Sequence, residues 1–99
     1  MAIKPLEIHP EALAELKSAV TWYQEKSPSA ALNFMEELDQ VLDWVIASPS
    51  RWPSAAHGTR KLVMRRYPFA VIYCEKETVI QVLAIAHGRR RPGYWKKRT

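Results

Sequence analysis

Near residue 60 the spacing of apolar side chains in this 99-residue chain changes from steps of three and four to steps of two. An α-helix repeats every 3.6 residues and a strand every two, so the change separates a helical part from a stranded part. Upstream, Leu13, Leu16, Val20 and Tyr23 form one apolar stripe. Ala31, Phe34/Met35, Leu38, Val41/Leu42 and Val45 form a second, with Glu36, Glu37, Gln40 and Asp43 on its other side. Pro10 suits the first position of the first helix, where a missing N–H costs nothing. Ser27-Pro28 repeats that start signal with a capping hydroxyl, and Ser48-Pro49 closes the second helix. So tight a connection predicts an antiparallel αα-hairpin over residues 10–48. Ahead of it, Leu6 and Ile8 alternate with Glu7 and His9, a short strand within residues 1–9.

Residues 51–59 contain Pro53, Ser54 and Gly58 and read as a loop. Beyond them, Leu62 and Met64 alternate with Lys61, Val63 and Arg65, and Phe69, Val71 and Tyr73 alternate with Ala70, Ile72 and Cys74. Residues 79–86 are nearly all apolar, as in a central strand covered on both faces. Turns at Tyr67-Pro68 and at 75–78 make residues 58–87 an antiparallel β-meander. The order β-α-α-β-β-β gives one α+β domain over residues 1–99, an antiparallel sheet with both helices on one face. Residues 88–99 follow as a basic C-terminal tail.

Charge is divided along the same boundary. Residues 1–50 hold three basic and eight acidic side chains, a balance of −5, whereas residues 51–99 hold twelve basic and two acidic, a balance of +10. Such asymmetry points to an anionic partner on the basic side. The bland alternative is a solvated surface that keeps the chain soluble. Cys74 is the single cysteine, which precludes an intramolecular disulfide and fits a reducing compartment. The first residues carry no signal-peptide run and no apolar stretch approaches bilayer length. The expectation is a cytoplasmic protein without a membrane partner.

Several chemistries lack their residues. His9, His57, His87 and Cys74 show no metal-ligand spacing, no glycine-rich loop opens a helix, and no serine sits in a nucleophile elbow. No metal and no cofactor is expected. What remains is two basic clusters. In the first, alternation puts Lys61 and Arg65 on one face, opposite Arg60, Leu62, Met64 and Arg66, so Lys61 and Arg65 are the candidates for the helix-free face. In the second, His87 ends the last strand and is followed by Gly88 and the run Arg89, Arg90, Arg91. An imidazole with an ordinary pKa of ~6.5 can serve as acid or base at neutral pH. The arginines suit a phosphate or carboxylate through their forked donors. Tyr94 adds a hydroxyl, and Tyr94 and Trp95 offer faces for base stacking. A structural reading stands beside this one: His87 bonded to backbone, and Trp95 folded back onto the sheet to pin the tail.

On these residues the chain resembles the RelE/ParE superfamily of toxins from type II toxin–antitoxin and plasmid-stabilisation modules. The resemblance is carried by the strand and αα-hairpin opening and by Gly58-Thr59-Arg60-Lys61-Leu62. It continues through Arg66-Tyr67-Pro68-Phe69-Ala70-Val71-Ile72-Tyr73 and ends at Val82-Leu83-Ala84-Ile85-Ala86-His87-Gly88-Arg89-Arg90. It implies a growth-inhibiting toxin and a cognate antitoxin partner whose acidic or amphipathic segment wraps it. The superfamily divides by target. RelE-like members are ribosome-dependent mRNA endoribonucleases, and the resemblance would then make Arg65 the stabiliser of the phosphorane, His87 the acid or base, and Tyr94 its assistant. ParE-like members are not enzymes; they poison DNA gyrase, and the His-x-Arg-Arg ending is closer to these. Lys61, Arg65, Arg89, Arg90 and Arg91 would then grip the target. A non-toxic nucleic-acid-binding module is the third possibility.

Overall fold

The computed structural model describes residues 3–99. β1 (Leu6–Ile8) leads through His9 into α1 (Pro10–Lys26), and α2 (Pro28–Ala47) returns antiparallel to it. Then come β2 (Ser54–Ala55), a 3-10 turn (Ala56–Gly58), β3 (Thr59–Val63), β4 (Phe69–Glu75) and β5 (Ile80–His87), and a second 3-10 turn (Lys96–Arg98) ends the chain. The α+β order is the expected one, and the expected loop at 51–59 contains the two-residue strand β2.

The helix ends are set locally. Nδ1 of His9 accepts the Glu11 N–H (3.1 Å) ahead of Pro10. Ser27 serves both helices: its N–H donates to the Tyr23 carbonyl (3.0 Å), and its Oγ accepts the Ala30 N–H (3.1 Å). One residue therefore closes α1 and opens α2, leaving no slack between them. In α1 the fully buried positions are Ala12 and Ala19, with Leu16, Val20 and Tyr23 packed beside them. Leu13, expected in that stripe, is 37% exposed, so the buried face is rotated by about one position. α2 buries Ala31, Phe34, Leu38, Val41 and Val45 as its spacing required.

The sheet order is β1-β5-β4-β3-β2. β3 to β5 form the expected antiparallel meander, β2 adds antiparallel to β3, and β1 pairs parallel with β5, Leu6 to Ile8 facing Ile80 to Val82. β5 is thus an interior strand along its first half and is buried on both faces, which accounts for its apolar run. The β4–β5 register jumps from Ile72↔Ala84 to Tyr73↔Val82, so Leu83 is an extra residue, a β-bulge. On one side of the sheet Val71, Tyr73, Ile80, Val82 and Ile85 pack under the helices. On the other, Ala70, Ile72, Leu83 and Ala84 pack under Trp95. The tail is therefore folded structure: it covers the face that the helices leave open.

β1 stops at Ile8, where the His9 N–H donates to the Val82 carbonyl (2.9 Å). From there onward no strand flanks β5 on that side among the described residues. An unpaired edge invites aggregation and leaves polar groups unmet. Side chains close part of it. Glu15 Oε1 accepts the Ile85 N–H (3.0 Å), and Arg98 Nη1 donates to the Leu83 carbonyl (3.0 Å).

Candidate functional site

His87 is the last residue of β5. The Gly88 N–H donates to the Pro68 carbonyl (2.7 Å) and the Arg90 N–H to the His87 carbonyl (3.0 Å), which turns the chain sharply back. Nδ1 of His87 accepts the Arg89 N–H (3.0 Å), so in the neutral ring the proton sits on Nε2. The imidazole meets the Phe69 ring edge-to-face at 5.0 Å.

Glu15 of α1 anchors the chain beyond that turn. Tyr94 donates its hydroxyl to Glu15 Oε2 (2.6 Å), and Arg98 spans both carboxylate oxygens (2.9 and 3.2 Å) while its Nε reaches Glu11 (3.2 Å). Arg90 lies 3.8 Å from the same carboxylate, and its guanidinium stacks 3.8 Å from the centre of the Tyr94 ring. Burial, then the bond to Glu15, raise the Tyr94 phenol above its ordinary pKa. It is accordingly a neutral hydrogen-bond donor at neutral pH, already committed to Glu15. Trp95 is buried on the sheet, with the His57 ring edge-on at 5.9 Å. The functional stacking role for Trp95 thus yields to the structural one.

Two hollows flank His87. A cleft of about 550 Å³ lies between α1 and the sheet, lined by Ala19, Trp22, Phe69, Ile85, Arg89 and Arg90 among others. A smaller groove of about 290 Å³ lies on the other face, with Lys61, Val63, Ala70, Arg90, Arg91 and Trp95 in its walls. Lys61 and Arg91 therefore share one groove, Arg89 borders the cleft, and Arg90 borders both.

Arg65 stands apart. β3 ends at Val63, so the alternation that paired Arg65 with Lys61 does not extend to it. Glu37 of α2 accepts the N–H groups of Arg65 (2.7 Å) and Arg66 (3.2 Å), drawing this loop toward the second helix. Arg65 borders a hollow with Asn33, Gln40 and Trp44, separate from both hollows at His87. Among the described residues, no three His, Cys, Asp or Glu side chains come together in a way that could hold a metal ion. No helix among them is long and apolar enough to cross a membrane.

Glu15 was not singled out from sequence. Its signal was present: it lies three residues after Ala12 and four before Ala19, on the face of α1 that packs on β5. An acid on a buried stripe requires a partner.

Residues 6–92 match the family model described as the ParE toxin of the type II toxin–antitoxin system parDE. A search of curated proteins gave no match. Among solved structures, the chain is similar to one from the chromosomal ParDE toxin–antitoxin system of P. aeruginosa. The identity is 25%, the TM-score is 0.73, and the match covers 86% of this chain and 96% of that one.

Proposed function

The chain belongs to the ParE toxin family of type II toxin–antitoxin systems, and from that premise we propose that it arrests growth in the cytoplasm by poisoning DNA gyrase until a cognate antitoxin neutralises it. Residues 1–99 act as one toxin domain, and the basic face around His87 is its gripping surface. What supports a gripping rather than a cleaving toxin is that the three residues RNA cleavage would need do not meet as free groups: His87 and Tyr94 line the same two hollows, but the Tyr94 hydroxyl is already bonded and Arg65 borders a separate hollow. The Arg65 backbone is bound by Glu37 at α2, the Tyr94 hydroxyl is spent on Glu15, and His87 lies apart from Arg65. General acid–base catalysis needs its groups within hydrogen-bond reach of one reacting centre. Lys61, Arg89, Arg90 and Arg91, by contrast, are all exposed and surround the two hollows.

The test is induction of the wild type beside His87→Ala and Arg65→Ala. Gyrase poisoning gives filamentous cells, DNA damage and covalent gyrase–DNA complexes, with translation continuing at first. Co-expression of an acidic protein encoded beside this gene restores growth. Arrest of translation within minutes, with cuts in a reporter mRNA that vanish in His87→Ala, would replace this reading with the RelE-like endoribonuclease. Growth unaffected by induction would leave only a non-toxic binding module.

A further inference from the structure

We propose that the groove on the helix-free face of the sheet, walled by Lys61, Arg91 and Trp95, holds the sugar–phosphate backbone of DNA. Naming DNA as the source of that phosphodiester rests on the gyrase reading above, which puts DNA at the toxin's place of work.

The fold turns a division of charge along the chain into a division across the sheet. Of the ten Asp and Glu side chains, three lie on α1 and four on α2, and both helices cover the same side of the sheet. Glu7 and Glu75 face Gln81 and Ile80, at least five residues back along β5 from Ala86, and Glu77 lies in the turn beyond them. Five strand residues span about 17 Å, more than the ~10 Å over which a charge is felt at 0.1 M salt. The groove itself is lined by Lys61, Arg90 and Arg91, and among the described residues lining it there is no Asp or Glu. Arg90 is shared with Glu15 (3.8 Å), whereas Lys61 and Arg91 have no ion-pair partner among the described residues. Nδ1 of His87 is taken by the Arg89 N–H, so the neutral ring presents Nε2–H as a further donor. Lys96 and Lys97 follow Trp95 directly and are exposed.

The floor decides which anion fits. Ala70 and Ile72 belong to β4, which lies between β3 and β5, so its backbone groups are spent in the two ladders. An extended acidic peptide binds along a sheet edge, where backbone groups are unpaired, and this floor offers no edge. A phosphate backbone needs only side-chain donors. Those donors stand on two separate segments, Lys61 on β3 and Arg90 and Arg91 in the tail. A ridge of phosphates lying between them therefore meets a cation on either bank, and the forked donors of arginine match its oxygens. At about 290 Å³ the groove is at the small end for an enclosed small-molecule site, and it suits a continuous ridge better.

The full-length toxin is titrated with a short DNA duplex of arbitrary sequence, with the same sequence as duplex RNA, and with polyglutamate of equal charge. With Lys61, Arg91, Lys96 and Lys97 each neutralising one phosphate, log K against log salt has a slope of about −3.6, roughly a hundredfold loss from about 50 to about 200 mM. Lys61→Gln and Arg91→Gln should each flatten that slope by about 1, whatever the sequence. Lys17→Gln removes the same charge from an exposed position of α1 and should leave the slope unchanged. Equal weakening by Lys17→Gln, polyglutamate held as tightly as the duplex, or no binding to the duplex at low salt overturns the groove. RNA held more tightly than DNA keeps the phosphodiester site and overturns DNA as its source. With gyrase present, the wild type should trap covalent gyrase–DNA complexes, and the Lys61→Gln/Arg91→Gln double variant should need about tenfold more toxin to do so. Trapping indifferent to the double variant overturns the proposal and leaves the gyrase reading standing. No trapping by the wild type, with duplex binding as described, overturns the gyrase reading and leaves the phosphodiester groove.

Discussion

Removing Glu15 should undo the attachment of the tail, and the cost can be worked from its contacts. In Glu15→Ala the Ile85 N–H and the Tyr94 hydroxyl lose their acceptor, and Arg98 loses both contacts to that carboxylate. An unmet buried donor costs ~1–3 kcal/mol, and breaking a buried ion pair from one side costs ~3–5 kcal/mol. The side chains of Arg98 and Glu15 are 10% and 15% exposed, and Arg98 keeps Glu11 and the Leu83 carbonyl, so the total falls below the sum. About 3 kcal/mol is expected for Glu15→Ala and about 2–3 kcal/mol for Arg98→Ala. For a domain of this size that corresponds to a drop in Tm of roughly 10–20 °C. The two residues share one network, so the double variant should fall short of the summed singles by about 2 kcal/mol. Urea unfolding of all four proteins, followed by far-UV circular dichroism, measures this directly. Additivity within ~0.5 kcal/mol would refute the reasoning, because independent sites behave in that way.

The other perturbations are simpler. Tyr73 is fully buried and donates its hydroxyl to the Pro49 carbonyl (2.6 Å); burial pushes its pKa up to about 12. A folded-state pKa above the unfolded value of ~10 gives stability that is complete below pH ~10 and lost as pH climbs toward 12. Alkaline unfolding should therefore begin at higher pH in Tyr73→Phe, at a cost near neutral pH of ~1 kcal/mol for the lost bond; an unchanged alkaline limb would contradict this. His57 sits in the left-handed region (φ 61°, ψ 36°), which β-branched residues avoid. His57→Val should lose ~2 kcal/mol and His57→Asn well under 1 kcal/mol in thermal melts, whereas equal losses would assign the effect to the lost Trp95 contact.

Local signals in the sequence reached the elements that local physics decides. Ser27-Pro28 specified the helix junction because the hydroxyl and the fixed proline φ act within four residues. The unbroken run over 79–86 specified a strand buried on both faces. Non-local choices were less legible. The alternation of Leu6 and Ile8 is the same for either strand direction, so parallel pairing with β5 had no local mark. The bulge at Leu83 leaves Leu83 and Ala84 together on the Trp95 side, with Val82 and Ile85 under the helices, and no glycine announced it. Arg65 shows how period-2 reasoning expires: it holds only while the strand lasts, and the strand ends at Val63, two residues before it. The tail looked like free basic sequence because its anchor, Glu15, lies 83 residues from Arg98.

That anchoring changes what the charge asymmetry means. Acidic and basic halves that are separate in sequence meet in the fold, Arg98 on Glu11 and Glu15, Arg66 near Glu37, and Lys4 on Glu75. Part of the basic excess is therefore internal adhesive, and the rest is offered outward, by Lys61, Arg65, Arg89, Arg91, Lys96 and Lys97 among others, all exposed. The two populations should respond differently to salt. Exposed charges are screened within ~10 Å at 0.1 M ionic strength and ~3 Å at 1 M, whereas partly buried pairs are screened much less. Raising salt from 0.1 to 1 M should therefore weaken association with an acidic partner severalfold or more while the thermal midpoint of the free toxin holds nearly constant. Titration calorimetry and thermal melts on the same samples compare the two. If the midpoint falls in step with the affinity, the pairs at Glu15 are not sheltered and the division between inner and outer cations is wrong. If neither moves, apolar packing in the cleft beside Trp22 carries the association.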